Sequence, residues 1–236
     1  MNAPGLYCCS QLPAGESLLA NAYLLVTDSG NLLIDPLAFD EATVEQIERF
    51  GGVAAVALLS ASRDDHARAI ASRFAVTVIT QPDHGADVVP GARAVRLPDQ
   101  EASGAYAISV RDAGAVVVGD ALIGSPGGAL SLPSNLRRAS ATRAALGLRR
   151  ILRENPETLL LTLGQSLYAG GYEALYRLLY ATAGAEIHRI NVDELDYQPR
   201  RDEHRQQPPA FWCMDAEVGF SIGARRLGYR VSKIPP

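Results

Sequence analysis

The sequence predicts an α/β protein whose strands and helices form a layered sandwich. Short apolar runs rich in β-branched residues are separated by turn residues along much of the chain, a pattern typical of strands and hairpins. Between several of these runs stand segments with apolar residues three and four positions apart, which is the period of an amphipathic helix. Hairpins mixed with crossover helices favour a layered sandwich over a doubly wound sheet.

The composition is that of a globular protein. The chain has 236 residues, of which 47% are hydrophobic and 20% charged, and this length is enough for one core and an appendage. No apolar run approaches the roughly 18–20 residues of a membrane span, and no signal peptide is visible, so we expect no membrane partner. Three cysteines do not make a disulfide framework, which predicts a cytoplasmic protein.

The first predicted elements are a hairpin, a helix and a buried strand. Residues 22–27 and 31–35 are predicted to pair as strands, because the three residues between them are turn formers. Asp40 is predicted to cap a helix that ends at Gly51. The continuous apolar run 53–59 then has the pattern of a strand that is covered on both faces.

A second helix and a series of strands follow. The helix carries apolar residues at helical spacing from Ala67 to Phe74. Four strands are predicted after it, at residues 75–80, 92–97, 105–111 and 115–118. The glycine-rich segment 124–128 comes next, and it predicts no nucleotide site because it lacks the Gly-Lys-Ser/Thr ending of a phosphate loop.

Residues 136–153 are predicted to form an arginine-rich helix. The chain has a net charge of −4, and Leu148 and Ile151 give the segment an apolar face. The arginines are therefore interpreted as a solvated helix face, and no nucleic-acid partner is expected. A strand at 158–163 and a helix from about Gly171 complete the predicted domain.

The character of the chain changes after about residue 189. Residues 193–209 are polar and contain three prolines, which predicts a linker or an extended arm, with short strands beyond it from residue 211. A tail of this length is too small to form a core alone. We therefore divide the chain into a domain at 1–189 and an arm at 190–236 that packs on the domain, mediates oligomerisation or begins a second domain.

Four short segments, in order along the chain, resemble the metallo-β-lactamase superfamily of glyoxalase II-like hydrolases. Residues 21–36 correspond to the opening hairpin of the family, and residues 60–66 to its His-x-His-x-Asp-His signature. Residues 118–122 correspond to its Gly-Asp-x-Leu segment, and residues 163–166 to its Gly-His segment. The resemblance implies a four-layer αββα sandwich, here with a short C-terminal β-rich extension. It also implies metal-assisted hydrolysis, usually with two zinc ions that activate a water molecule.

The resemblance implies that part of the metal-ligand set is kept. Asp65 and His66 match the Asp-His pair, and Asp120 matches the bridging aspartate, so these three are the candidate metal ligands. Gln165 stands where the family has its last histidine. The family uses five histidines, whereas this chain contains four in total.

The remaining ligand positions are replaced. Ala61 and Arg63 stand at the His-x-His pair, and Gln100 stands at the third histidine. Alanine has no donor atom, arginine stays protonated, and a glutamine amide is a poor ligand for zinc. With the segment 119–132, this pattern resembles a subgroup that has a degenerate metal motif and no assigned reaction. The arm is similar to the entry strands of cupin barrels, without their metal ligands.

Several interpretations of these residues stay open. The Arg63 guanidinium either supplies positive charge in place of one metal by bridging Asp65 and Asp120, or it points to solvent. Ser62 is interpreted as a helix N-cap, with Asp65 as a charge in the first helical turn. His66 is interpreted either as a ligand or as a buried, hydrogen-bonded relic.

Two classes of function follow. The first is a non-catalytic or ligand-binding protein that takes a small molecule, needs no cofactor, and uses Arg63, Gln100 and Gln165 as cleft or charge-compensating residues. The second is a hydrolase with one divalent metal (zinc, iron or manganese) at the three candidate ligands, because three protein ligands plus water make an acceptable catalytic site. The replacement of four of the five histidines favours the first class.

Overall fold

Two β-sheets face each other and carry helices on their outer sides. The structure is a computed structural model and describes residues 5–97, 105–134, 138–189 and 211–215. Its strands are β1 (Gly5–Gln11), β2 (Ala20–Val26), β3 (Leu32–Ile34), β4 (Ala55–Ala57), β5 (Val78–Ile79), β6 (Asp87–Val89), β7 (Ala92–Arg96), β8 (Tyr106–Val110), β9 (Ala115–Val118), β10 (Ile123–Ser125), β11 (Ala129–Ser131), β12 (Thr158–Leu161) and β13 (Phe211–Asp215). Its α-helices are α1 (Glu41–Arg49), α2 (Asp64–Phe74), α3 (Arg138–Leu152) and α4 (Gly171–Ala183).

The first sheet has the strand order β13-β1-β2-β3-β4-β5. Strands β1, β2 and β3 are antiparallel neighbours, whereas β3, β4 and β5 are parallel and are connected through α1 and α2. The second sheet has the order β12-β9-β8-β7-β6 and contains one parallel pair, β9 with β12. Strands β10 and β11 form a separate small hairpin.

Alternation along the strands creates the layers. In β2, Tyr23 and Leu25 face the core between the sheets, and Leu24 faces the cluster that contains the apolar residues of α1 and α2. In β9, Val117 faces the same central core, and Val116 faces the cluster formed with α3 and α4. The predicted four-layer αββα sandwich is therefore confirmed.

Most predicted elements are present with tighter bounds. The hairpin at 22–27 and 31–35 is β2 and β3, and the run 53–59 contains β4. Asp40 caps α1 as predicted, because its Oδ1 accepts a hydrogen bond from the N–H of Thr43 at 2.8 Å. Four further strands, β1, β6, β10 and β11, were not predicted.

The predicted N-cap at Ser62 is wrong. Residues Ala61–Arg63 form one 3₁₀ turn directly before α2, so the N-cap position falls on Arg63, and no side chain caps the helix there. Ser62 lies inside this turn, so it does not occupy the N-cap position of α2.

Of the predicted arm, residues 211–215 are described, and they form β13 beside β1. The rest of the arm lies outside the described residues, so the cupin-like resemblance and the division at residue 189 stay predictions. Among the described helices, none is long and apolar enough to cross a membrane.

Gly124 can carry no side chain where it stands. A Cβ on this residue would collide with the carbonyl oxygen of Gln165, where the chain after β12 passes β10. We expect Gly124→Ala to lower the free energy of unfolding by about 3 kcal/mol, because the clash is with backbone.

Gly127 supplies the matched control for this prediction. It lies in open space at φ +78°, so Gly127→Ala meets only left-handed strain, about 1 kcal/mol. Urea unfolding of both variants measures the difference. Equal losses at the two positions would contradict the close approach at Gly124.

Candidate functional site

Three loops that carry the predicted site meet at one edge of the sandwich, where β4, β9 and β12 end. A Cβ on Gly119 would lie 2.7 Å from the carbonyl oxygen of Leu59, so the chain after β9 packs directly on the end of β4. The N–H of Thr162 donates to the carbonyl of Val118 at 3.0 Å, which joins the end of β12 to β9. The segments that carry the family resemblance therefore lie together.

The side chains at the predicted ligand positions lie on the surface of this edge. Asp65 and His66 are exposed in the first turn of α2, Asp120 is exposed directly after β9, and Gln165 is exposed after β12. The interpretation of His66 as a buried relic is therefore wrong. Gln100 lies outside the described residues.

Arg63 is the buried residue of the signature segment, and only 7% of it is exposed. Its Nη1 donates to the carbonyl oxygens of Asn21 at 2.6 Å and Asp35 at 2.8 Å. Its Nη2 donates to the carbonyl oxygen of Thr162 at 2.6 Å. One guanidinium thus joins the first residues of β2 and the ends of β3 and β12, which belong to both sheets.

Both sequence-based interpretations of Arg63 are corrected by this geometry. The side chain does not point to solvent, and its hydrogen bonds within the described residues include none to Asp65 or Asp120. The two aspartates are exposed, so water solvates their charges and they need no internal counter-charge. Three of the five N–H donors of the guanidinium instead bind backbone carbonyls inside the protein.

Asp35 is the acidic residue that compensates the buried positive charge of Arg63. It is fully buried and lies directly after β3 with a positive φ of 49°, a conformation uncommon for a residue with a side chain. Its Oδ1 accepts hydrogen bonds from the N–H groups of Leu59 at 2.6 Å and Ser60 at 3.1 Å. Its Oδ2 accepts the hydroxyl of Ser60, which also lies 3.2 Å from Oγ1 of Thr162.

Burial raises the pKa of Asp35 above its usual value, and the charge of Arg63 and the hydrogen bonds from Ser60 and Leu59 offset part of that rise. The charge of Asp35 also reaches the second sheet. Together with burial, which is the larger cause, it raises the pKa of Tyr106 in β8. Tyr106 donates its hydroxyl to the carbonyl of Ile79 at 2.8 Å.

A second set of side chains holds β2 to the loop after β12. The Nδ2 group of Asn21 donates to the carbonyls of Leu161 at 2.7 Å and Gly164 at 2.8 Å. The hydroxyl of Tyr23 also donates to Leu161 at 2.7 Å and lies 2.8 Å from the hydroxyl of Ser166. Polar groups at the sheet edge are thus satisfied by side chains from the facing sheet.

The residues that build this network were not predicted as site residues. Asp35 had one signal, an acidic residue at the end of an apolar strand and directly before Pro36. Asn21, Ser60 and Thr162 had no comparable signal, because a short polar residue at a strand end is usually a cap or a turn residue.

The chain belongs to the metallo-beta-lactamase superfamily. The model of this family matches residues 1–182, which is most of the chain and includes all three loops of the edge. A comparison with curated proteins finds no match.

Solved structures share the fold at low identity. A metallo-beta-lactamase from Pontibacter korlensis is 12% identical with a TM-score of 0.57, over 75% of this chain and 93% of that one. The mono-zinc form of FIM-1 from Pseudomonas aeruginosa is 13% identical with a TM-score of 0.56, over 75% and 90%. A flavo di-iron protein from Thermotoga maritima is 13% identical with a TM-score of 0.50, and the match covers 74% of this chain and 55% of that one.

The residues of this chain do not fit the metal centre that the family implies. Arg63 has no lone pair to give a metal, and its donors are already bound to three carbonyls. Ala61 has no donor atom at all. Across the described ranges, no group of three or more His, Cys, Asp or Glu residues is placed to hold a metal ion, and this includes the candidate set of Asp65, His66 and Asp120.

The raised pKa of Asp35 predicts the sign of a pH effect on stability. The folded protein keeps this proton to a higher pH than the unfolded chain, so the contribution is complete at low pH and is lost as pH rises from about 4 through the raised pKa. The free energy of unfolding of wild type minus that of Asp35→Asn should therefore fall as pH rises. Urea unfolding at constant ionic strength measures it.

Asp40 is the control with the opposite sign. The hydrogen bond from Thr43 lowers its pKa, so its contribution is present above the usual value and is lost as pH falls through the lowered one. The free energy of unfolding of wild type minus that of Asp40→Asn should therefore rise as pH rises. A difference for Asp35→Asn that stays constant with pH would contradict the raised pKa of the buried carboxyl.

Removal of the Arg63 guanidinium should be costly and coupled to Asp35. We expect Arg63→Met to lower the free energy of unfolding by about 3–5 kcal/mol, because it leaves a buried carboxyl and buried carbonyls without their partner. Arg68→Met, at an exposed arginine paired with Asp64, should change stability far less.

A double-mutant cycle separates the two possible partners of Arg63. The losses of Arg63→Met and Asp120→Ala should add to within about 0.5 kcal/mol, whereas those of Arg63→Met and Asp35→Asn should not add. Strong coupling between Arg63 and Asp120 would instead support the interpretation that Arg63 bridges Asp65 and Asp120.

Proposed function

We propose that this protein is a non-hydrolytic, metal-independent member of the metallo-beta-lactamase superfamily that binds a small molecule at the loop edge. In this proposal the edge is held together by a side-chain cation rather than by metal ions. The exposed residues of the edge, Asp65, His66, Asp120 and Gln165, then form the binding face.

The single observation that carries the proposal is the burial of Arg63 at a position where the family resemblance has a histidine ligand. Three carbonyls at 2.6–2.8 Å fix the guanidinium, so a metal-ligand histidine could replace it only if this hydrogen-bond set were lost. A permanent cation at this place also opposes the approach of a divalent cation by charge repulsion.

Solvent exposure supports a binding role for the outer residues. Side chains that only stabilise the fold are usually buried or paired, whereas Asp65, His66, Asp120 and Gln165 are all exposed on loops or at a helix start. A cytoplasmic location stays part of the proposal, because the three cysteines of the chain do not make a disulfide framework.

A second candidate function is a hydrolase with one divalent metal at Asp65, His66 and Asp120. The close packing of Gly119 on Leu59 favours it, because this contact brings the segments that carry the two aspartates to the same edge. Zinc, iron or manganese would be the metal in this case. The two candidates differ in measurable metal content.

The test uses the full chain purified without chelator. Metal content is measured by mass spectrometry of the elements, and thermal unfolding is followed with EDTA and with added zinc. We expect metal far below one ion per chain, an unfolding temperature that EDTA does not change, and no hydrolysis of chromogenic lactam, thioester or phosphodiester substrates.

Asp120→Ala is the matched variant for this test. If one metal ion per chain is found in the wild type and is lost in Asp120→Ala while the fold is kept, the hydrolase is correct and the proposal fails. A panel of small metabolites screened by thermal shift tests the ligand, and shifts that disappear in Gln165→Ala would place it at this edge.

A further inference from the structure

The last described strand, β13, is an edge strand of the first sheet. β13 runs parallel to β1 over five register pairs, from Leu6 opposite Phe211 to Ser10 opposite Asp215. The pairing therefore joins the N-terminal strand to a segment about two hundred residues later in the sequence.

The register places the cysteines of the chain in one strand pair. Cys8 stands directly opposite Cys213, and Cys9 stands opposite Met214. Because residues alternate between faces along a strand, the positions 8 and 213 share one face of the sheet and the positions 9 and 214 share the other. One pair of cysteines is thus matched across the strands, and the adjacent cysteine is not.

The surroundings of Cys8 are those of a protected thiol. It is 7% exposed and belongs to the core cluster between the two sheets, with Leu6 and Tyr23 as neighbours in that cluster. Its Sγ lies 3.5 Å from the hydroxyl of Ser10. The adjacent Cys9 is also a buried residue of β1.

We propose that Cys8 and Cys213 are a reversible redox pair, and that their disulfide locks β13 onto the sheet edge. Adjacent strands lie about 4.8 Å apart, within the Cα separations of roughly 4.4–6.8 Å that a disulfide spans. The inference rests on the strand register and is independent of the proposed function of the loop edge.

The oxidant in this proposal is a small-molecule disulfide such as oxidised glutathione. When β13 separates from the edge, one cysteine thiolate attacks the glutathione disulfide, forms a mixed disulfide and releases one glutathione thiolate. When the strand returns, the facing thiolate attacks the cysteine sulfur of that mixed disulfide and releases the second glutathione. Two protein thiols are oxidised and one glutathione disulfide is reduced to two thiols.

The lock would control whether the arm stays attached to the domain. With both thiols reduced, no covalent bond joins β13 to β1, so β13 can separate and rebind. With the disulfide formed, separation of β13 needs reduction first. Transient, redox-sensing disulfides of this kind are those that occur in a reducing compartment.

The experiment compares Cys8 with Cys9 in the same chain. Full-length protein is equilibrated in glutathione redox buffers, alkylated, and analysed by peptide mass spectrometry. Cys9→Ala leaves only the pair of Cys8 and Cys213, and Cys8→Ala leaves only the pair of Cys9 and Cys213. The two loops differ by one residue, so chain entropy gives neither pair an advantage.

The expected result is an intrachain disulfide that forms at least about tenfold more readily in Cys9→Ala than in Cys8→Ala, a preference that falls to near one in concentrated urea, where register is lost. A chain with Cys213→Ser and Met214→Cys should move the disulfide to Cys9. These variants also test folding, because each must keep the circular dichroism spectrum of the wild type.

Four outcomes would overturn the proposal. They are equal reactivity of Cys8 and Cys9 toward Cys213 in the folded state, a disulfide between the adjacent Cys8 and Cys9, a disulfide that links two chains, and mixed glutathione adducts without any protein disulfide. Each of them would mean that the register does not direct the thiol chemistry.

Discussion

The loop edge of this sandwich depends on one buried cation. The guanidinium of Arg63 binds backbone carbonyls at the start of β2 and at the ends of β3 and β12, so it links the two sheets at the place where their strands stop. A buried charge needs a counter-charge and a full set of hydrogen bonds. Asp35 supplies the charge, and the strained backbone of Asp35 is held by the N–H groups of Leu59 and Ser60.

Arg63 carries its positive charge in a different way from a metal ion. Metal ions in the family give positive charge and at the same time bind lone pairs of side chains. Arg63 also carries a positive charge, but its guanidinium can only donate hydrogen bonds, and it donates them to backbone carbonyls. At this position the edge is therefore held together by hydrogen bonds from a side-chain cation, while Asp65 and Asp120 are exposed to solvent.

Local patterns were reliable where one element decides the outcome. The apolar runs of β2 and β9, the cap at Asp40 and the inward face of α4 at Leu175 and Leu179 were readable because each depends on neighbouring residues. The shortness of β4 and the 3₁₀ turn before α2 were not readable, because packing and strand pairing set where a regular element stops. Strand β1 was not predicted, because its small and polar residues interrupt the apolar pattern that indicates a strand.

By itself the sequence determined the layers of the fold and a total of four histidines, one fewer than the five of the family resemblance, because both follow from residue type and spacing. Only the tertiary structure decided the direction of Arg63. Its partners are contributed by residues 21, 35 and 162, which are far apart in the chain and meet only after the two sheets pack. The family resemblance suggested that Arg63 bridges Asp65 and Asp120 in place of a metal. Inside the fold, unsatisfied buried carbonyls cost more than exposed carboxylates do, and the guanidinium points inward to bind them.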